Sequence, residues 1–141
     1  MQPKLELAAI TDEFTPELEK ALDAMAAIGL TGAELRVLWG KNILNLSEDE
    51  LCRARDIIQA KGLQVISIAS PVLKCVLPNT PPVNESIQHD VFASKATFDD
   101  QPALTEHAFK VAKFFGARII RVFSFWRSVQ PPTAGSQVVS A

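Results

Sequence analysis

Gly29-Leu-Thr-Gly-Ala-Glu-Leu-Arg-Val-Leu-Trp39 is the stretch from which the fold is read. A glycine stops a helix, a tight turn follows, and a short strand then carries two opposite charges. Alternate strand residues share a face, so Ala33, Leu35 and Val37 point one way while Glu34 and Arg36 point the other. The apolar set packs under a helix. The charged set needs company, because a buried glutamate and arginine are costly unless paired or in contact with a ligand. Two readings stay open here: an internal ion pair that holds the strand in place, or a pair facing a ligand at the strand's C-terminal end, where parallel barrels open their active sites.

The same punctuation recurs on both sides. Residues 5–10 form an apolar run with one charge, Glu6, read as a first strand, and Thr11-Asp-Glu-Phe14 is the polar turn after it. Thr15 is placed to cap the next helix with Pro16 at its first position, and Leu18, Leu22 and Met25 recur at helical spacing until Gly29. The second strand spans residues 33–38. Ser47-Glu-Asp-Glu50 is a capping box opening a second helix, whose buried stripe is Leu51, Ala54 and Ile58 with Ile57 beside it, and Gly62 ends that helix. Residues 64–69 form the third strand. Gly29 and Gly62 stand 33 residues apart, the length of a β-α unit. A third helix over residues 102–115, with Leu104, Ala108, Val111, Ala112 and Phe115 as its stripe, ends at Gly116. The β-branched and aromatic run 118–125 is predicted as a fourth, central strand. Units alternating in this way build parallel α/β sheets with right-handed crossovers.

The third unit is longer than the others because residues 70–101 intervene before its helix, and four of the nine prolines (Pro71, Pro78, Pro81 and Pro82) fall there. A loop of this length on the C-terminal side of a parallel strand reads as a lid or specificity loop, or else as a surface excursion. Residues 131–141, opening with Pro131-Pro132, are read as a truncated or disordered tail. The two outer strands of such a unit are left without neighbours, so something is expected to cover them.

With 141 residues, of which 48% are hydrophobic, the chain is one domain able to bury a real core. Its formal charge of -2 and scattered basic residues argue against nucleic acid as a partner. Cys52 and Cys75 lie far apart and lack the close pairing of a zinc ribbon or redox motif. No signal peptide or membrane-length apolar run is evident, so the expected setting is cytoplasmic, without membrane association and with reduced thiols.

Four stretches together, Ile10-Thr-Asp-Glu-Phe14, Gly29-Leu-Thr-Gly-Ala-Glu-Leu-Arg36, Ile68-Ala-Ser-Pro-Val-Leu-Lys74 and Arg118-Ile-Ile-Arg-Val-Phe-Ser-Phe-Trp126, resemble the xylose isomerase-like TIM barrel family of sugar phosphate isomerases and epimerases. The resemblance implies a partial TIM barrel, with residues 1–130 as the N-terminal half of a (β/α)8 barrel. It also implies a substrate wall made by Glu13, Glu34, Arg36, Ser70, Lys74, Arg121, Phe123 and Trp126. Cations there would neutralise an anionic group, carboxylates and hydroxyls would bond sugar hydroxyls, and aromatic faces would stack on the sugar's C–H side. Lys74 has a second reading as a solvated loop lysine, and Trp126 as a core or rim aromatic. Arg121 is expected to find Glu34 or a ligand. The family's divalent metal (Mn, Mg, Co or Zn) is held by two glutamates, an aspartate and a histidine from later strands, so no ligand is assigned here. His107 reads as a solvated helix histidine, and His89, beside Asp90 in the long loop, as a group that could swing over a substrate.

Three functions compete. The first is the N-terminal part of a metal-dependent sugar or sugar phosphate isomerase or epimerase, inactive alone, supplying the substrate wall and lid. The second is a non-catalytic half-barrel that binds a partner or a second copy of itself. The third is an endonuclease IV-like phosphodiesterase, which the acidic balance disfavours.

Overall fold

The computed structural model describes residues 6–80 and 95–126. In chain order the elements are β1 (Ala8–Ile10), α1 (Leu18–Ala27), β2 (Gly32–Leu35), β3 (Val37–Leu38), β4 (Lys41–Asn42), α2 (Glu48–Ala60), β5 (Gln64–Ala69), α3 (Gln101–Phe115) and β6 (Ile119–Arg121). Strands β1, β2, β5 and β6 form one parallel sheet in that spatial order, and β3 pairs antiparallel with β4. Each crossover adds its strand on the same side of the one before. Crossovers of one hand then lay every helix on one face of the sheet.

The packing agrees. Leu35, Ile68 and Ile120 lie in one register row, and they join Ala33, Leu22 and Met25 of α1, Ala54 and Ile58 of α2, and Ala108 and Val111 of α3 in a single apolar core. The neighbouring row, Ile10, Glu34, Ser67 and Ile119, turns to the opposite face. The polar side chains of the sheet are therefore gathered on the side without helices.

Helix starts and stops follow from local chemistry. Ser47 Oγ accepts from the Glu50 amide at 3.2 Å while Glu50 Oε2 accepts from the Ser47 amide at 2.9 Å, so the capping box forms in full. Leu51, Ala54 and Ile58 are the buried residues of α2, and Gly116 closes α3 in the left-handed region at φ 72°. Helix α1 departs from the sequence expectation. It begins at Leu18, not Pro16, and its N-cap Glu17 makes no side-chain cap bond. Thr15 Oγ1 instead accepts from the Glu17 amide at 3.4 Å, a turn closed ahead of the helix.

The second strand also departs. The run 33–38 breaks at Arg36, and Val37 and Leu38 leave the sheet to form a hairpin with Lys41 and Asn42. Trp39 and Gly40, at φ 52° and 77°, supply the two left-handed residues of a two-residue hairpin turn. Tryptophan is a poor turn residue, and tertiary contacts hold it: its amide bonds Pro16 O at 3.1 Å, its indole Nε1 donates to Glu19 at 3.1 Å, and the Arg53 guanidinium lies 4.4 Å from its ring centroid.

Gly32 is needed for close approach. A Cβ there would stand 2.7 Å from Ala8 Cβ and 2.5 Å from Ile66 Cγ1. The β2–β5 register slips between Ala33 and Glu34, leaving Ile66 as the extra residue against Gly32.

The fourth strand is shorter than expected and, among the described residues, stands at an edge of the sheet. β6 has three residues, and Ile119 and Val122 are each more than half exposed. Its sequence is that of an interior strand, but among the described residues no strand pairs with its outer side. Beyond Arg121 the backbone leaves the ladder and runs along the segment after β5, with the Phe123, Phe125 and Trp126 amides donating to Val72, Leu73 and Cys75 carbonyls.

Candidate functional site

Parallel strands deliver their C-terminal ends to one rim, and six of the charged or polar residues singled out from sequence stand on it. The turn after β1 carries Asp12 and Glu13, and Arg36 follows β2. Arg36 Nε and Nη2 donate to Asp12 Oδ2 at 2.9 and 2.7 Å, and Nη2 also reaches Glu13 Oε1 at 2.7 Å. Asp12 Oδ1 accepts from the Val37 amide at 3.2 Å, so this carboxylate ties the end of β1 to the start of the hairpin. Asp12 holds the Arg36 guanidinium firmly protonated against the cost of burial, with Glu13 adding to it.

The internal Glu34–Arg36 pair is thus not what forms. Glu34 and Arg36 have different partners: Glu34 Oε2 accepts from Ser67 Oγ at 2.8 Å, across the β2–β5 register pair. Asp12 is the main carboxylate of the rim, and sequence reading passed over it in favour of Glu13. The one signal available was its place in the polar turn after β1, and that signal does not rank two adjacent acids.

Arg121 lies against the end of β5. Its Nη2 donates to Ala69 O at 2.9 Å and to Ser70 O at 3.3 Å. The expected bond to Glu34 is not made, and no carboxylate among the described residues comes within ion-pair distance of Arg121. Burial and then the Arg36 charge push the Arg121 guanidinium below its ordinary value, with Glu34 and Asp12 acting the other way. Two buried polar atoms among the described residues have no hydrogen-bond partner, Arg121 Nε and Thr11 Oγ1. Both belong to residues at strand C-terminal ends.

Lys74 is not a solvated loop lysine. Its Nζ sits 4.7 Å from the Phe123 ring centroid and 5.6 Å from that of Trp126, and Arg121 Cζ is also 4.7 Å from the Phe123 ring. Burial first, then Arg121 and Arg36, lower its pKa. Leu73 and Phe125, the residues before Lys74 and Trp126, both take left-handed conformations at φ 60° and 70°. Ser70 is fully buried. Its Oγ donates to Arg121 O at 2.6 Å and accepts from the Val72 amide at 3.3 Å, which locks β5 to β6.

His107 corrects another expectation. It is half-buried, and its Nε2 lies 2.9 Å from Leu44 O, fastening α3 to the turn after β4. His89, Asp90 and the tail 131–141 lie outside the described residues, as does part of the proposed lid.

Among the described residues no three His, Cys, Asp or Glu side chains come together to hold a metal ion, and the rim carboxylates are already engaged by Arg36 and Ser67. These residues do not fit a metal centre. No helix among them is long and apolar enough to cross a membrane. Cys52 and Cys75 are free thiols, and burial pushes the Cys75 thiol up.

Fold and rim together define a parallel α/β layer, wound in one direction, with mixed charge and aromatic rings at its strand ends. No protein-family model and no curated protein matches the chain.

Proposed function

We propose that this chain forms the substrate-gripping part of a sugar or sugar-derivative isomerase or epimerase of the xylose isomerase-like kind, with the four strands as one half of a TIM barrel. One observation carries the reading. Among the described residues the three α-helices lie on one face, and the other face brings Asp12, Glu13, Glu34, Arg36, Lys74 and Arg121 to a single rim with Phe123 and Trp126. Doubly wound sheets cover both faces with helices, whereas a barrel leaves one face for its lumen. A rim of fixed carboxylates, cations and ring faces suits a polyhydroxylated molecule, whose hydroxyls need paired donors and acceptors and whose C–H faces stack on rings.

The test is a titration of the isotopically labelled chain with neutral aldoses and ketoses, followed by amide shifts. Saturable shifts confined to the Arg36, Lys74, Arg121 and Trp126 amides are expected. Shifts that never saturate, or that map to the helical face, overturn the reading.

A second reading has its own observation. The exposed outer side of β6 borders a groove of about 500 Å³ lined by Val72, Ala108, Phe109, Ala112, Ile120 and Val122. An open parallel edge beside an apolar groove favours association over a monomer. Sedimentation at micromolar concentration separates the two states, and a lone monomer throughout counts against self-association.

A further inference from the structure

We infer that two copies of this chain close on one another, the outer side of β6 in each pairing parallel with the outer side of β1 in the other, to make one barrel of eight strands. The inference rests on the half-barrel reading and adds the partner, a second copy, and the two edges that meet.

The argument begins with the strand order. The sheet runs β1, β2, β5, β6, so among the described residues its two unpaired sides are the outer side of β1 and the outer side of β6. Backbone groups along such a side are met by water or by another strand. The three α-helices pack on one face, which gives the sheet an inside and an outside, as one arc of a barrel has. Four strands taken twice make eight, the number that closes around an interior just filled by side chains. A two-fold axis along the barrel keeps every strand parallel, so β6 of each copy meets β1 of the other and both edges are used at once. Pairing β6 with β6 would run the strands antiparallel and leave both β1 edges open.

The side chains at the two edges are complementary. Arg118 stands one residue before β6 and Glu6 two residues before β1, so parallel pairing brings the starts of both strands, and with them these opposite charges, to the same end of the barrel. Both are exposed, and neither has an ion pair or a side-chain hydrogen bond among the described residues. Lys113 lines the groove beside β6 together with Arg118 and adds a second cation to that edge. Apolar surface accompanies the charges. Leu7, just ahead of β1, and Ile28, just after α1, are more than half exposed, as are Phe109, Ile119 and Val122 on the β6 side. Single exposed apolar residues are ordinary, but apolar groups on both unpaired edges with opposite charges beside them suit contact between copies. The consequence reaches the rim. With all strands parallel, the rims of both copies open at one mouth and face each other across it, so a single copy holds only half of the ligand site.

The experiment is sedimentation equilibrium of the full chain at low salt, with Glu6→Arg, Arg118→Glu and an equimolar mixture of the two variants. The parent chain is expected to saturate at two copies. Glu6→Arg sets arginine against arginine at both contacts and Arg118→Glu sets glutamate against glutamate, so each variant alone should dimerise at least about tenfold more weakly than the parent. The mixture restores opposite charges at both contacts of a mixed dimer and should return to within about threefold of the parent. Both positions are exposed, and circular dichroism checks that each variant folds. A mixture no tighter than its components, a Glu6→Arg chain that associates like the parent, or growth beyond two copies each overturns the pairing. The same samples are titrated with a neutral aldose. A chain that stays monomeric yet shows saturable shifts at the rim overturns the pairing and leaves the sugar reading standing. A dimer that obeys the charge pattern but shows no such shifts keeps the pairing and overturns the sugar reading.

Discussion

Asp12 and Glu13 are neighbours in the chain, yet they hold Arg36 under different conditions. The Asp12 side chain is 4% exposed and that of Glu13 is 61% exposed. Removing one partner of a buried pair strands the other charge, whereas an exposed pair is worth little because water competes for both groups. Asp12→Ala is therefore expected to cost about 3 kcal/mol, and Glu13→Ala under about 1 kcal/mol, in urea denaturation. Equal costs would mean that the two carboxylates share the rim evenly. Lys74 makes a prediction about pH. Its pKa lies below the ordinary 10.5 in the folded protein, so between the folded value and 10.5 the unfolded chain binds more protons, and stability rises with pH across that window. Below the folded pKa the full penalty is present. The stability of the wild type relative to Lys74→Met should thus climb as pH approaches 10.5, and a flat difference would show that neither burial nor the Arg121 and Arg36 charges disfavour the Lys74 ammonium.

At the scale of elements, the sheet depends on one missing side chain. Gly32 lets Ala8 and the bulged Ile66 close over β2, and an added methyl would meet Ala8 Cβ at 2.7 Å. Gly32→Ala should destabilise by about 1–3 kcal/mol, the usual cost of overpacking, measured by thermal or chemical unfolding. Gly29→Ala has open space at its Cβ but a φ of 83°, so it is strained by backbone conformation alone. These two glycines bracket one turn and fail for different reasons. Helix α2, the capping box and β5 were legible because their signals are local: a serine and a glutamate three residues apart, an apolar stripe, a terminating glycine. The β3–β4 hairpin was not legible. Trp39 occupies a left-handed position that sequence rules reserve for Asn, Asp or Gly, and what holds it there are Glu19, Arg53 and Pro16, all distant in sequence.

For the molecule as a whole, the side of β6 that no strand pairs with among the described residues is the feature with the largest consequence. Ile119 on β6 and Val122 just past its end are 55% and 54% exposed in a stretch with an interior sequence. A charge on an edge blocks strand addition with little effect on the strand's own fold. Ile119→Lys should leave the unfolding midpoint nearly unchanged while reducing any concentration-dependent association seen by sedimentation. A variant that associates as strongly as the parent would place the contact elsewhere. Among the described residues the core is a single cluster joining α1, α2 and α3 to one face of the sheet, so core damage in any of these helices should be felt by the whole sheet.

The sequence by itself determined the succession of helices and parallel strands, because periodicity, caps and terminating glycines act over a few residues and carry their own physical cause. The family resemblance, and not periodicity, suggested Glu13, Glu34, Arg36, Ser70, Lys74, Arg121, Phe123 and Trp126 as a wall near the strand ends. Only the tertiary structure decided how they are partnered. Arg36 turned to Asp12, Glu34 to Ser67, Ser70 into the interior and Lys74 onto Phe123, because each choice depends on which strand end lies next to which. Sheet order and register set that adjacency, and they come from packing the helices on one face, an effect spread over the entire core and written in no single stretch of the chain.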